Sequence, residues 1–543
     1  MASISRRAMA EAVASSSARI RPLASSPAAT AARCFLATPS RSLATSSAAA
    51  APKKQLSGRG KERFNFNTSL SMTDDPDPDH VNFRLVSAAE VANYREPPTR
   101  VKMLVRDFID DSLYNPHYGY FSKNVTIFTP PTASGYDFSS FRDQAAFQEA
   151  VAERYEAEYG GAGEGLSRQV WHTPTELFKP YFARALTSAI LSQYKLNHFP
   201  HEDLIIYEVG AGNGSFMADT LSFLRDEHPE VFARTKYRII EISAALAGAQ
   251  QARAKKEGFP NIEVINQDVF KWQGGGDQPC FVIANEVFDN FAHDMIRYDM
   301  VTLQPHQAVV SIDRHGDFSL LYEPVTDPLL RRVLAYRRLL PPSTNTQPPL
   351  SKPMLASSTL RSVYSQMPFV PNLSPPDFIP TKAIAFLERM RDQLPRHRLL
   401  VSDFSELPDA VPGRNGPVVQ TRYGTNMVPC ETFLVKQGYF DIFFPTDFEL
   451  LRDTYSLIMN SPSRRDEAPP PKEAKAKGKA QSRLGSEFFS STGVRGFRRR
   501  SIGVYPQTEF IQKFGGKDIV QATRTRDGQS PMLGMYHNAK ILF

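Results

Sequence analysis

Leu204-Ile205-Ile206-Tyr207-Glu208-Val209-Gly210-Ala211-Gly212-Asn213-Gly214-Ser215-Phe216 decides the fold of this 543-residue chain. An apolar, β-branched run predicts a buried parallel strand over 204–209. It ends in an acid and three glycines spaced by two. A segment with helical apolar spacing follows, through Phe216, Met217, Leu221 and Leu224. Strand, glycine turn and helix form the first half of a nucleotide-binding βαβ unit, in which backbone without Cβ atoms can approach a ligand closely. A turn that only packs helix on strand gives the same pattern.

The dinucleotide fingerprint is G-x-G-x-x-G with an acid about twenty residues on for a ribose. Here the order is E-x-G-x-G-x-G, and the next strand-ending acid is Glu241, after Tyr237-Arg238-Ile239-Ile240. An acid before the first glycine is the form carried by enzymes that use S-adenosylmethionine. That molecule has no pyrophosphate; it has an ammonium and a sulfonium, which a carboxylate such as Glu208 suits, while Glu241 can accept from ribose hydroxyls. A nicotinamide or flavin dinucleotide is the competing ligand.

Downstream, helices are expected at 215–228 and from Ser243 to Gly258. Strands are expected at 237–242, 262–267 (ending at Asp268), 280–284 (leading into Asn285-Glu286-Val287-Phe288-Asp289) and 399–404. Alternating strands and helices predict an α/β fold with a doubly wound, mostly parallel sheet, with an N-terminal helical segment and added α/β insertions. Ligands in such sheets gather at the carboxyl ends of the strands. Glu208, Glu241, Asp268, Asn285 and Glu286 all fall there.

Residues 1–50 hold six arginines against the single acid Glu11 in an Ala/Ser-rich background, the composition of a mitochondrial transit peptide. Residues 51–86 read as a flexible linker with Asp74-Asp75-Pro76-Asp77-Pro78-Asp79. Residues 87–200 read as a helical substrate region with a loop insert at 122–165. There Ser87 to Glu90 is a capping box, a helix is expected over Val101–Leu113, and another from Pro174 to about Tyr194. Residues 201–460 are the nucleotide domain with an insertion at 326–395, and 501–543 its C-terminal part. Between them, 461–500 carries eleven Lys/Arg against four Asp/Glu and predicts a disordered basic insert. The formal net charge of +7 therefore sits in a leader and an insert, and the remaining body is acidic. That argues against nucleic acid as partner. No apolar run is long enough for a membrane span, and Cys34, Cys280 and Cys430 have neither metal-ligand spacing nor enough members for a disulfide framework.

Taken together, Tyr118-Gly119-Tyr120-Phe121, Thr173-Pro174-Thr175-Glu176-Leu177-Phe178, Glu208 to Gly214 and Asn285 to Asp289 resemble the MidA-like family. Further echoes are Asp441-Ile442, Asp447-Phe448 and Gln507-Thr508 with Phe510. Its mitochondrial members are arginine methyltransferases that act as assembly factors of respiratory complex I. The resemblance implies S-adenosylmethionine as cofactor and symmetric dimethylation of a protein arginine, on a complex I subunit in the mitochondrial matrix. It places the cofactor on Glu208, Gly210, Gly212, Glu241 and Asp268, and the acidic catalytic pair on Glu286 and Asp289; the residues themselves add Gly214, the third glycine of the bend, and Asn285, a candidate for the methionine part, to the cofactor set. Thr173 and Glu176 fall on the substrate side, and no metal is implied. The chain departs from the family pattern twice. Its Gly-Asp-Phe before Thr-x-x-Glu is missing, and its Asp-Tyr-Gly is Asp403-Phe404-Ser405. A cofactor-binding chaperone without transferase activity is the alternative that these departures motivate.

A protonated guanidinium asks for carboxylates that grip its fork and turn one nitrogen toward the methyl group. Glu286 and Asp289, three apart, fit that need; Asp289 as a helix cap with Glu286 on the cofactor is the plainer reading. His172 and His293 flank the expected cleft, and Trp171 and Phe178 are candidate walls of a substrate channel, but packed or solvated side chains are the stronger reading of all four.

Overall fold

The computed structural model describes residues 80–543 apart from 125, 133, 160–169, 345–346, 409, 424–425 and 461–501. The leader, most of the linker and the basic insert expected above lie outside the described residues. Seven strands form the central sheet: β1 (Leu204–Val209), β2 (Thr235–Glu241), β3 (Ile262–Asn266), β4 (Cys280–Asn285), β5 (His397–Phe404), β6 (Val504–Pro506) and β7 (Ala539–Leu542). Their order is β3-β2-β1-β4-β5-β7-β6. β1 to β5 run parallel, and β7 runs antiparallel to both β5 and β6. The fold is thus α/β and doubly wound. Strand order reverses between β1 and β4, the point at which such sheets open a crevice.

Strand alternation explains why β1 is apolar throughout. Leu204 and Ile206 face one core, with Phe182, Leu186 and Ile190 of the helix Tyr181–Asn197 and Phe216 and Leu221 of α1 (Ser215–Glu227). Ile205, Tyr207 and Val209 face the other, with Phe386, Leu387 and Met390 of Thr381–Gln393 and Leu451 and Ile458 of Phe448–Met459. Both faces are dry, so the period-two polar signal vanishes. α2 (Ala244–Glu257) joins β2 to β3, capped by Ser243 and closed by left-handed Gly258.

A second, six-stranded sheet covers the carboxyl edge. Pro305–Ile312 pairs with Phe318–Pro324 along its length, with Val101–Leu104 over 309–312 and with Asp294–Tyr298 over 305–307. Arg84–Leu85 and Asp377–Ile379 complete it. Two expectations need correction here. Val101–Leu104 is a strand, and the helix begins only at Val105, because pairing with Ser311 and Ile312 overrides the helical spacing. The helix expected from Pro174 breaks after Leu177 and restarts at Tyr181, because Pro180 cannot sit inside it. The helix Val105–Tyr114 packs Phe108, Ile109 and Leu113 into a third core with Met295, Val310 and Phe378. Arg106 ties the layers, donating to Asp294 at 2.7 Å and by both terminal nitrogens to Asp327 at 2.8 and 2.7 Å. Among the described residues no helix is long and apolar enough to cross a membrane.

Candidate functional site

The glycine bend opens at the switch point. Gly210, Gly212 and Gly214 have φ of +69°, +55° and +69°, which L side chains rarely adopt, and a Cβ on Gly210 would meet Val287 Cγ2 at 3.1 Å. Glu208, at the end of β1, is 3 % exposed and accepts from the Tyr237 hydroxyl at 2.8 Å. Burial pushes its carboxyl up to about 7 in spite of that bond, and Glu241 adds repulsion. Glu241, at the end of β2, accepts from the Ser243 amide at 2.9 Å and from Gln250 Nε2 at 3.1 Å; burial raises it too.

Gln250 escaped the sequence analysis. From the middle of α2 its Nε2 also donates to the Gly212 carbonyl at 2.8 Å, so one buried amide sets the distance between bend and acid, and its Oε1 has no partner. Only α2's docking brings it there, and its place in the helix gave no signal. Glu176 lies on the same bend: its Oε1 accepts from Asn213 Nδ2 at 3.1 Å and Ser215 Oγ at 2.7 Å, and Thr173 caps its short helix. Of the two residues expected on the substrate side, Glu176 thus meets the chain where the glycines turn, and Thr173 holds the helix that carries it. Asp268, half-buried beyond β3, accepts from the Phe270 amide at 2.9 Å.

The turn after β4 is the densest charge in the site. Glu286 has φ +52° without being glycine, its amide donates to the Ser402 carbonyl at 2.8 Å, and its Oε2 is buried with no partner. Burial, with repulsion from Asp289 and Asp403, lifts it well above the carboxylate range. Both amide atoms of Asn285 are buried and unpartnered. Asp289 sits on a 3-10 turn, Phe288–Asn290, wholly buried. Asp403 holds that turn: its Oδ2 accepts from the amides of Phe288 (2.9 Å) and Asp289 (3.1 Å), and burial plus Asp289 raise it strongly. Its place beside the motif's departure hid this role. The sequence brings three carboxyls, Glu286, Asp289 and Asp403, into mutual repulsion.

From the end of the helix Val105–Tyr114, Tyr114 donates to the Asn290 carbonyl at 3.2 Å, and burial, then the charges of Asp110, Asp289, Asp441 and Asp268, raise its phenol well above the ordinary value. Lys382 pairs with Asp110 and lies 4.5 Å from the Phe270 ring centre. The aromatic motif at 118–121 is a structural lock. The Tyr118 hydroxyl and Gln437 Nε2 both donate to Asp111, at 2.8 and 2.7 Å, and a Cβ on Gly119 would strike the Asn115 backbone at 2.5 Å. His172 packs on Phe128 and Tyr155. His293 stacks on Phe444 at 3.9 Å, and burial pushes it down to about 4, so it stays neutral. Phe178 packs on Phe138, Phe147 and Tyr536.

These residues fit a cationic, ribose-bearing ligand. The glycines leave a cradle that a Cβ would fill, two acids stand at successive strand ends, and Asn285 and Gln250 hold unpartnered amide atoms. A family model described as S-adenosyl-L-methionine-dependent methyltransferase matches residues 185–462. The chain is 25% identical over 393 residues to the mitochondrial protein arginine methyltransferase NDUFAF7 homolog of Schizosaccharomyces pombe, covering 67% of this chain and 77% of that protein. The corresponding Saccharomyces cerevisiae homolog is 22% identical over 308 residues, covering 52% and 67%. A crystal structure from Burkholderia thailandensis bound to S-adenosyl-homocysteine aligns with TM-score 0.41 and 14% identity, covering 86% of this chain and 94% of that one.

Proposed function

The chain belongs to the S-adenosyl-L-methionine-dependent methyltransferase family, and from that premise we propose that it methylates protein arginine in mitochondria. The arginine and mitochondrial parts are supported by the names of its two yeast relatives and by the carboxyl-rich turn after β4. Glu208, Gly210, Gly212, Gly214, Glu241 and Asp268 hold the donor on the β1–β3 side of the switch point, and Asn285 meets it from the end of β4. Glu176 and Gln250 hold the bend that receives it. Bound there, S-adenosylmethionine supplies a methyl group on a positively charged sulfur.

The observation that carries the reading is Glu286: a buried carboxyl with an unpartnered oxygen on left-handed backbone, at the edge where the sheet order reverses. Such backbone costs free energy and is kept where surroundings and task demand it. A guanidinium enters protonated and presents donors only. Glu286 accepts from it and fixes the fork, so that one nitrogen lone pair can turn to the methyl carbon. Transfer would exchange the donor's sulfur–methyl bond for an N–C bond and leave a neutral thioether; the nitrogen would then have a proton to lose, and a carboxyl held above its usual range is fit to take it. Asp289 adds negative charge beside it, while Asp403, committed to the backbone, keeps both in place.

The finer reading is symmetric dimethylation of an arginine on a complex I subunit in the matrix. The test is transfer from labelled S-adenosylmethionine into matrix proteins of cells lacking this protein, with mass spectrometry of the dimethylarginine isomer. Symmetric label on arginine that Glu286→Gln abolishes, with donor binding intact, supports the reading. Donor binding without any label would defeat it in favour of a cofactor-binding assembly chaperone.

A further inference from the structure

The mechanism leaves unused two buried polar side chains from the far end of the sheet. Pro506, the last residue of β6, is in register with Lys540 of β7, and Lys540 with Asp403 of β5. Gln507 therefore emerges at the same edge as Asn285 and Asp403. Two strand spacings, roughly 10 Å, separate Pro506 from Asp403. Gln507 is 1 % exposed, and neither its Oε1 nor its Nε2 has a partner. Tyr536, in the connection before β7, is equally buried, and its hydroxyl has no partner. Its ring is held edge-on by Phe178 at 5.6 Å. The Asn538 carbonyl accepts from the Ser405 amide at 2.7 Å, which sets Tyr536 beside the carboxyl end of β5, and burial and then the Glu286 carboxylate raise its phenol well above the ordinary value. The helix Gln507–Phe514 packs on Pro531–Gly534 just before Tyr536, and Thr508 Oγ1 donates to the Leu533 carbonyl at 2.9 Å.

We infer that Tyr536 and Gln507 form the far wall of the acceptor pocket opposite Glu286 and bind the guanidinium of the substrate arginine. Buried polar groups are nearly always partnered, and three unpartnered ones from different elements at one edge of a sheet call for a ligand that partners them together. Glu286 Oε2, Gln507 Oε1 and the Tyr536 hydroxyl oxygen can all accept. A guanidinium offers five donors in one plane and no acceptor. A phosphate or carboxylate acceptor would meet Glu286 with like charge. The inference rests on the arginine reading above and extends it to the other side of the pocket.

The test uses the full chain and matrix extract from cells lacking it, with transfer of labelled methyl to arginine measured against extract concentration. Tyr536→Phe keeps the ring on Phe178, and Gln507→Leu keeps most of the volume. Losing one hydrogen bond to a charged group should raise the half-saturating extract concentration about tenfold in either variant. Affinity for S-adenosylhomocysteine and the melting temperature should stay at the wild-type values, a split that a merely structural role would not give. Wild-type saturation curves in both variants would overturn this inference alone. Arginine left unlabelled by the wild type would overturn it together with the arginine reading. If Tyr536→Phe melts early, Gln507→Leu decides by the same criterion.

Discussion

At the scale of the residue, two carboxyls one strand apart have opposite demands. In the function proposed here Glu286 has to be ionised to hold a guanidinium, yet burial holds its proton; a cation entering the pocket would resolve that conflict. Glu286→Gln should cut methyl transfer by about 10²–10⁴-fold, the range of a lost positioned acid or base, and leave donor affinity intact by calorimetry. Glu208 titrates at about 7 in the free protein. Below that pH it is mostly neutral, so affinity for the cationic donor should rise as pH increases through about 7. Glu208→Gln should flatten that slope. The same shift fixes a stability sign. The folded state holds this proton more tightly than an unfolded chain with the ordinary value of 4.5, so ligand-free stability falls as pH climbs from about 4.5 to about 7. Urea titrations at several pH values check it, with Glu208→Gln removing the trend. Glu208, Glu286 and the glycines were legible because acids and glycines at strand ends announce themselves. Gln250 and Asp403 were not, because their partners lie 38 and 115 residues away in sequence.

At the scale of the element, the site is a set of turns held from outside. Glu176 reaches the glycine bend from a four-residue helix, taking hydrogen bonds from Asn213 and Ser215. Glu176→Ala leaves those groups without their acceptor and should weaken donor binding by roughly tenfold, the worth of one charged hydrogen bond. Arg106 joins the helix Val105–Tyr114 to Asp294 and to Asp327, the cap of Pro328–Leu339. Arg106→Met strands the buried Asp294 carboxylate and the half-buried one of Asp327 and should cost about 3–5 kcal/mol, read as a lower urea midpoint. Helix and strand types followed from spacing wherever an element meets its neighbours on one face. The reading failed at Val101–Leu104, whose side chains have helical spacing while its backbone pairs with a strand some 200 residues on. It failed again at Pro180, where one ring outweighs the apolar pattern on either side.

At the scale of the molecule, the sheet order β3-β2-β1-β4-β5-β7-β6 puts the acids of β1 and β2 on one side of the reversal and Glu286, Tyr536 and Gln507 on the other. The parallel, doubly wound class was legible from alternation alone. The antiparallel insertion of β7 was not, since nothing local in Ala539-Lys540-Ile541-Leu542 specifies two partners. β7 pairs with β5 over 401–404 and with β6 over 504–506. Deleting 539–543 should leave β5 with an open edge and β6 without a neighbour, giving insoluble protein or a lost cooperative melt by circular dichroism. Synthesis meets the same geometry in time. β5 leaves the ribosome more than a hundred residues ahead of the strand that shields it, so its rim stays bare while the intervening chain is made. A nascent molecule of this kind depends on being escorted, and a slowed or crowded cell should lose it to precipitation before any of its chemistry is affected.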